Sequence, residues 1–352
     1  MNETTQVSSK ERQRIVFPLP AYGAESTGLV CGFLFAPGSP GRSVSSAEAL
    51  AWLRSKHSDA DPEFAWLHFD LSGNATEPWL REHLALPEAF HSTLHDGTRS
   101  TRVEYADGWL IGVINDVLFD FSFGASDIST LWLCVGPRTV ISARRKPLRS
   151  IDRLRASVRQ GAPFRSAFEI LVHLMRDQGD VLVQIVREAT SRVDRIEDSL
   201  LAERLEMRRV DLGTLRRVLV RLQRLLAPEP AALFRLLNRP PEWAAEADVQ
   251  ELRQATEEFS VALNDISALL ERVKLLQEEI ASELNRQNNR SLFLLTVFTV
   301  LALPINIIAG LFGMNVGGIP FNQDERGFWT IVLVVLAFTL PALYIVLRRR
   351  RD

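Results

Sequence analysis

The most apolar parts of this sequence lack every side chain that binds metals tightly. Residues 291–312 and 328–347 contain no Asp, Glu, His, Cys, Lys or Arg. A dehydrated zinc site wants nitrogen or sulfur ligands, usually four, so neither run can supply one. Breakers are missing too: after Pro241 there is no proline until Pro304 and no glycine until Gly310. Cysteine is scarce. Cys31 and Cys134 both sit in strand-like apolar runs, which reads as two reduced core residues rather than a disulfide or metal pair. There is no basic excess. Forty-one Lys and Arg against 43 Asp and Glu leave a net charge of −2, which argues against a nucleic-acid binder. No GxGxxG follows a strand and no GxxxxGK[ST] occurs, so no nucleotide site is indicated. No nucleophile–base constellation can be assembled, so an enzyme is the least favoured class. The first 14 residues are polar and lack an apolar signal region; they read as a disordered tail that is not exported.

What is present is organised around the C-terminal apolar pair. The runs are 22 and 20 residues long. At 1.5 Å per residue each spans a bilayer core of about 30 Å. Arg286 and Arg290 precede the first run, and 348–351 are all arginine, while the link carries Arg326 beside Asp324 and Glu325. The positive-inside rule places both termini in the cytoplasm and the link outside.

Residues 15–150 alternate short β-like and helical runs. Strands are expected at 28–35, 64–71, 102–105, 109–117, 131–135 and 139–143, and helices at 47–55 and 77–83. Gly136-Pro137-Arg138 reads as a tight turn between antiparallel neighbours. Residues 151–244 are helical: apolar residues recur at helical spacing over 166–203 and 207–226, and prolines punctuate a short corner helix at 231–237. From 246 one helix is expected to run to 312, roughly 100 Å long. Its seam is Leu252, Ala255, Phe259, Leu263, Ile266, Leu270, Val273, Gln277, Ile280 and Leu284. Such a helix needs partners along its length. The domain plan is a tail at 1–14, an α/β domain at 15–150 and a helical hairpin at 151–244. A stalk and first transmembrane helix follow at 245–312, then a loop at 313–327, a second span at 328–347 and a basic tail at 348–352.

The polar residues of the first run share one stripe. Steps of three and four join Asn289, Leu292, Thr296, Thr299, Leu303, Asn306, Gly310 and Gly313, and the stripe extends back to Asn285 and Ser282. Polar side chains facing lipid are costly. The stripe therefore faces protein, as helix–helix contacts, or water, as a pore face. Two spans per subunit cannot enclose a water path, so a ring of subunits is required, with the first span at the axis. Pro304 is a candidate hinge.

Gly313-Met314-Asn315 closes the first run and precedes a final span. In that position it resembles the signature of the CorA superfamily of divalent-cation transporters. The continuation Val316-Gly317-Gly318-Ile319-Pro320 is more similar to the zinc-transporter branch, the ZntB family. The magnesium branch usually has a Met-Pro-Glu-like continuation, which Gly318-Ile319-Pro320 replaces here. The resemblance implies an α+β cytoplasmic domain with a mixed or antiparallel sheet, a long stalk helix and two C-terminal transmembrane helices. It also implies a homo-pentamer in a bacterial-type inner membrane, carrying zinc or another divalent cation as substrate, with no cofactor. The resemblance suggests proton-coupled uptake, with efflux as the family's alternative, although neither span offers a carboxylate or histidine as a relay.

With only hydroxyl, amide and carbonyl groups available, the ion is expected to pass largely hydrated. Asn315 then either rings the outer mouth with amide oxygens or caps the helix end. Met314 packs the turn and Gly313 allows a close backbone approach. Asp324 and Glu325 form an acidic collar or are ordinary loop residues. The acids of 246–283 line a funnel or a solvated stalk face, and Arg204, Arg208, Arg209, Arg216, Arg217, Arg221 and Arg224 read as a solvated face. His91 and His95 have i, i+4 spacing, but with Ser92, Thr93 and Gly97 nearby they read as a metal-free loop. The rival readings are a CorA-type magnesium channel and a membrane-anchored sensory or structural protein.

Overall fold

The computed structural model describes residues 24–55, 62–95, 100–124, 127–198, 205–314 and 326–349. The chain divides into two units, residues 1–201 with 210–273 and residues 202–209 with 274–352.

The first unit is built on a seven-stranded mixed sheet. Its strands are β1 (Leu29–Phe35), β2 (Arg42–Val44), β3 (Phe64–Asp70), β4 (Arg102–Ala106), β5 (Trp109–Val117), β6 (Ile128–Val135) and β7 (Thr139–Arg144), in the order β2-β1-β3-β7-β6-β5-β4. Only the β3–β7 pair is parallel; the other pairs are antiparallel. The expected turn is present: β6 and β7 pair directly, and Gly136 N–H donates to the Thr139 carbonyl at 2.8 Å. β2 was not expected. Three residues, two of them exposed, are too short for an alternation signal to register.

Apolar layers cover both faces, which is why β3 and β5 read as nearly continuous apolar runs. One face packs against α1 (Ser46–Arg54), α2 (Thr76–His83) and α3 (Glu88–His95), through Ala49, Leu80, Phe90 and Leu94. The other carries α4 (Arg149–Arg159), α5 (Ala167–Asp198), α7 (Pro228–Leu237) and the start of α8 (Glu246–Phe312). Here Phe35 stacks on Phe64 at 4.8 Å and Phe33 on Trp66 at 5.7 Å. Fully burying one such side chain stabilises by about 1.5–3 kcal/mol. Cys31 and Cys134 are free thiols in these layers, and burial pushes both up to about 12.

Local chemistry sets the helix boundaries. Ser45 and Glu48 close a capping box on α1. Pro228 begins α7, where its missing N–H costs nothing. α3 corrects the loop expected at His91 and His95. Its one-sided apolar positions, Phe90 and Leu94, are buried against the sheet, and tertiary packing outweighs the weak helix propensity of Ser92 and Thr93.

α6 (Leu205–Leu226) follows α5 in the chain and leads to α7. α8 is 67 residues long, with the expected bounds, and runs through Pro304 and Gly310. Within the first unit its buried seam is Leu252, Ala255, Phe259, Leu263, Ile266, Leu269 and Val273. Leu269 replaces the expected Leu270, which is half-buried. A seam repeating every 3.5 residues passes between two neighbours at such points, and packing chooses one. Gln223 donates to Ser267 at 2.7 Å, joining α6 to α8. Arg176 reaches Glu251 at 3.2 Å and Arg272 reaches Asp194 at 2.7 Å, joining α5 to α8, and Arg165, just before α5, reaches Glu251 at 3.3 Å. These pairs are largely exposed and fix register more than they stabilise.

The second unit contains the C-terminal part of α8 and α9 (Gly327–Arg349). α8 is the one described helix long and apolar enough to cross a membrane, and none of its apolar window is buried. α9 includes a shorter apolar helix over Gly327–Pro341.

Candidate functional site

The stripe residues lie on the C-terminal half of α8. Asn285, Asn289, Thr296, Thr299, Leu303, Asn306, Gly313 and Met314 are all exposed. Their neighbours are exposed and apolar, among them Leu295 at 63% and Phe298 at 69%. An unburied apolar surface around a whole helix is unstable in water and requires a lipid or protein environment.

The two threonines are held in a defined state. Thr296 Oγ1 donates to the Leu292 carbonyl at 2.8 Å, and Thr299 Oγ1 to the Leu295 carbonyl at 2.9 Å. Each hydroxyl proton is thus committed to its own helix. What remains outward is oxygen lone pairs, which only accept. With the amide oxygens of Asn285, Asn289 and Asn306, whose NH2 groups can also donate, the stripe offers an acceptor at each polar position. A hydrated cation presents water hydrogens outward, so an acceptor surface matches its shell.

At the end of α8, Gly313 N–H donates to the Ala309 carbonyl at 2.9 Å. A Cβ added at Gly313 would lie 3.0 Å from that same carbonyl oxygen, a tight contact within its own helix. At Gly310 a Cβ would meet nothing within 4 Å. Pro304 lies inside the helix without ending it. Asn315, Asp324 and Glu325 lie outside the described residues.

The other candidates separate. On α8, Glu246, Glu257, Glu258, Asp265, Glu271, Glu278 and Glu279 are exposed, whereas Asp248 is buried. Asp248 accepts from the Ser166 hydroxyl at 2.6 Å and faces Arg165 at 3.5 Å. Arg216, Arg217, Arg221 and Arg224 are exposed on α6. His91 is buried, while His95 is exposed and faces Glu77 at 3.5 Å. Among the described residues no three His, Cys, Asp or Glu are grouped to hold a metal ion.

Sequence reasoning missed two buried polar groups in the first unit. One joins Trp66, His68, Ser142 and Arg144 across β3 and β7. The other joins Asn115, Asp116, Ser150, Gln178 and Glu229. The available signals were Asp116 ending the apolar run of β5 and Gln178 on the apolar side of α5.

Comparison with known proteins agrees with this architecture. The family model described as "CorA-like Mg2+ transporter protein" matches residues 61–350. The chain is 28% identical over 317 residues to the divalent cation transporter CmaX of Pseudomonas aeruginosa, covering 88% of this chain and 93% of that protein. It is 25% identical over 276 residues to the zinc transport protein ZntB of Yersinia enterocolitica, covering 78% and 84%. The solved full-length CmaX superposes with a TM-score of 0.77 at 24% identity, covering 93% of this chain and 99% of that one. The CorA magnesium transporter of Methanocaldococcus jannaschii superposes with a TM-score of 0.71 at 17% identity, covering 89% and 96%. The match spans the sheet domain from β3 onward, the long helix and the apolar C-terminal part, and the chain belongs to the CorA-like Mg2+ transporter family.

Proposed function

We propose that this chain is a divalent-cation transporter of the inner membrane, with zinc as the favoured cargo. The observation that carries the reading is the acceptor stripe on the unburied apolar part of α8. Committed hydroxyls at Thr296 and Thr299, together with three asparagine amides, suit a cation that keeps its water shell. Side chains then hydrogen-bond the shell, and selectivity follows from pore width and hydration geometry.

In this reading α8 and α9 both span the bilayer, and the arginines before and after them hold both termini in the cytoplasm. Copies of the chain, five by analogy with the CorA superfamily, place α8 around an axis and α9 outside it. Gly313, Met314 and Asn315 form the outer mouth, where Asn315 oxygens accept from the waters of an arriving ion. Asp324 and Glu325 raise the local cation concentration there. The stripe continues inward through Asn306, Leu303, Thr299, Thr296, Asn289 and Asn285.

Zinc is favoured by the Val316-Gly317-Gly318-Ile319-Pro320 continuation and by the similarity to ZntB. Magnesium is the second reading, favoured by the all-oxygen stripe, because hard cations take oxygen ligands and give up water reluctantly. The test is uptake by proteoliposomes of the full chain, comparing zinc with magnesium, with and without an inward proton gradient. Zinc flux stimulated by the gradient supports proton-coupled zinc uptake. Magnesium flux indifferent to pH moves the cargo to magnesium. Flux of neither ion removes the transport reading and leaves a membrane-anchored sensor.

A further inference from the structure

Four elements of the first unit meet in a cluster of carboxyl, amide and hydroxyl groups. β5 supplies Asn115 and Asp116, α4 Ser150, α5 Gln178 and α7 Glu229, and all five are at most 3% exposed. Glu229 Oε1 accepts the Asn115 backbone N–H at 2.7 Å, and Oε2 accepts from Gln178 Nε2 at 2.7 Å. The same Gln178 nitrogen donates to the Asn115 carbonyl at 2.6 Å. Asp116 Oδ1 accepts the Val117 N–H at 2.7 Å; its Oδ2 accepts the Ser150 N–H at 3.1 Å and the Ser150 hydroxyl.

Every one of these donors is neutral. The bonds use both carboxyls as acceptors, in surroundings that penalise charge. Ionised together, Glu229 and Asp116 would place two negative charges in one buried cluster whose donors are all neutral. A proton on either carboxyl relieves the site while leaving acceptor capacity on its oxygens. Glu229 is in the first turn of α7, and α7 is followed by residues 238–245 and then α8. Trp243 in that connection donates to the Gly108 carbonyl at 3.1 Å. The seat of α7 thus lies at the root of the long helix.

We propose that Glu229 and Asp116 form a proton-operated latch. Protonated, it seats α7 on β5 and α5; ionised, it releases that seat at the root of α8. Burial holds the Glu229 carboxyl well above the usual carboxylate range, and Asp116 adds to the effect, against the hydrogen bonds from Asn115 and Gln178. Burial also pushes Asp116 up to about 6, with Asp152 of α4 adding and the Ser150 and Val117 bonds opposing. From α5, Asp177 faces the cluster; burial pushes it up to about 7, Asp180 and Asp116 add, and Arg153 and Arg176 oppose. The latch depends neither on the identity of the cargo nor on transport itself.

The test is hydrogen exchange on the full-length protein in detergent micelles between pH 5.5 and 8, corrected for intrinsic rates. The backbone amides of 229–239, Pro230 excepted, should exchange about tenfold faster at the alkaline end. Glu229→Gln, which carries the extra hydrogens permanently, should flatten that dependence. A Glu229→Gln profile that follows the wild type overturns the latch. If Glu229→Gln does not fold, Gln178→Met serves instead. It keeps the carboxyl but removes one donor to its anion, so the midpoint should move to higher pH; an unmoved midpoint overturns the latch.

Discussion

Arg144 Nε donates to His68 Nε2 at 3.1 Å, with both side chains buried in the sheet. The guanidinium has only protons to offer, so Nε2 must be the acceptor. That leaves the ring proton on Nδ1, directed at the Ser142 hydroxyl oxygen 2.8 Å away. Trp66 Nε1 donates to the same oxygen at 2.9 Å. Burial, then Arg144 and Arg155, hold His68 well below the ordinary histidine range, so it stays neutral. Removing the shared acceptor strands two buried donors. Ser142→Ala should destabilise the fold by about 2–4 kcal/mol, read by denaturant unfolding, while Ser142→Thr should retain most of the stability.

The buried carboxyls make stability depend on pH. Asp116 is pushed up to about 6 and Asp177 to about 7, mainly by burial. A raised carboxyl contributes stability below its unfolded value and loses it as pH rises through the folded value. His68, held low, acts in the opposite sense: its contribution is present above the unfolded histidine value and declines as pH falls below it. Thermal unfolding followed by tryptophan fluorescence should show Asp116→Asn gaining stability over the wild type between pH 5 and 8. Equal gains at both ends would contradict the assignment.

The acceptor stripe makes a chemical prediction. Thr296→Val and Thr299→Val keep the shape and remove the lone pairs. If each lost water-mediated bond is worth about 1.4 kcal/mol, cation flux should fall about tenfold per substitution. Thr→Ser at either site should preserve it. Undiminished flux in the double valine variant would favour a helix-contact role for the stripe.

The two glycines at the end of α8 should respond differently. Gly313→Ala places a methyl 3.0 Å from the Ala309 carbonyl, so the turn must shift and flux should drop. Gly310→Ala meets nothing within 4 Å among the described residues, so the isolated chain should tolerate it. A loss of flux in Gly310→Ala would show that another copy approaches that surface, which cross-linking from position 310 would detect.

Asn315→Leu should abolish selective flux in liposomes without changing the amount of folded protein recovered. Flux that survives removes Asn315 as the mouth residue and leaves it the role of a helix cap.

Much of the fold was legible because it depends on local period and on breakers. The Glu246–Phe312 helix follows from a stretch with no glycine before Gly310 and a single internal proline. The six longer strands follow from apolar runs bounded by turn chemistry. What could not be read were elements whose local signal is weak, β2 and α3, and partners far apart in the chain. His68 and Arg144 are 76 residues apart, and Asn115 and Glu229 are 114 apart.

By itself, the sequence determined that this protein has a long helix ending in an apolar, uncharged run with a one-sided polar stripe. Those properties are periodic and compositional, so neighbouring residues suffice to establish them. Only the tertiary structure decided which polar groups are buried together, because burial depends on which strands pair and which helices cover them. It put Glu229 against Asn115 and Gln178, and it committed the Thr296 and Thr299 hydroxyls to their own helix, leaving only acceptors outward.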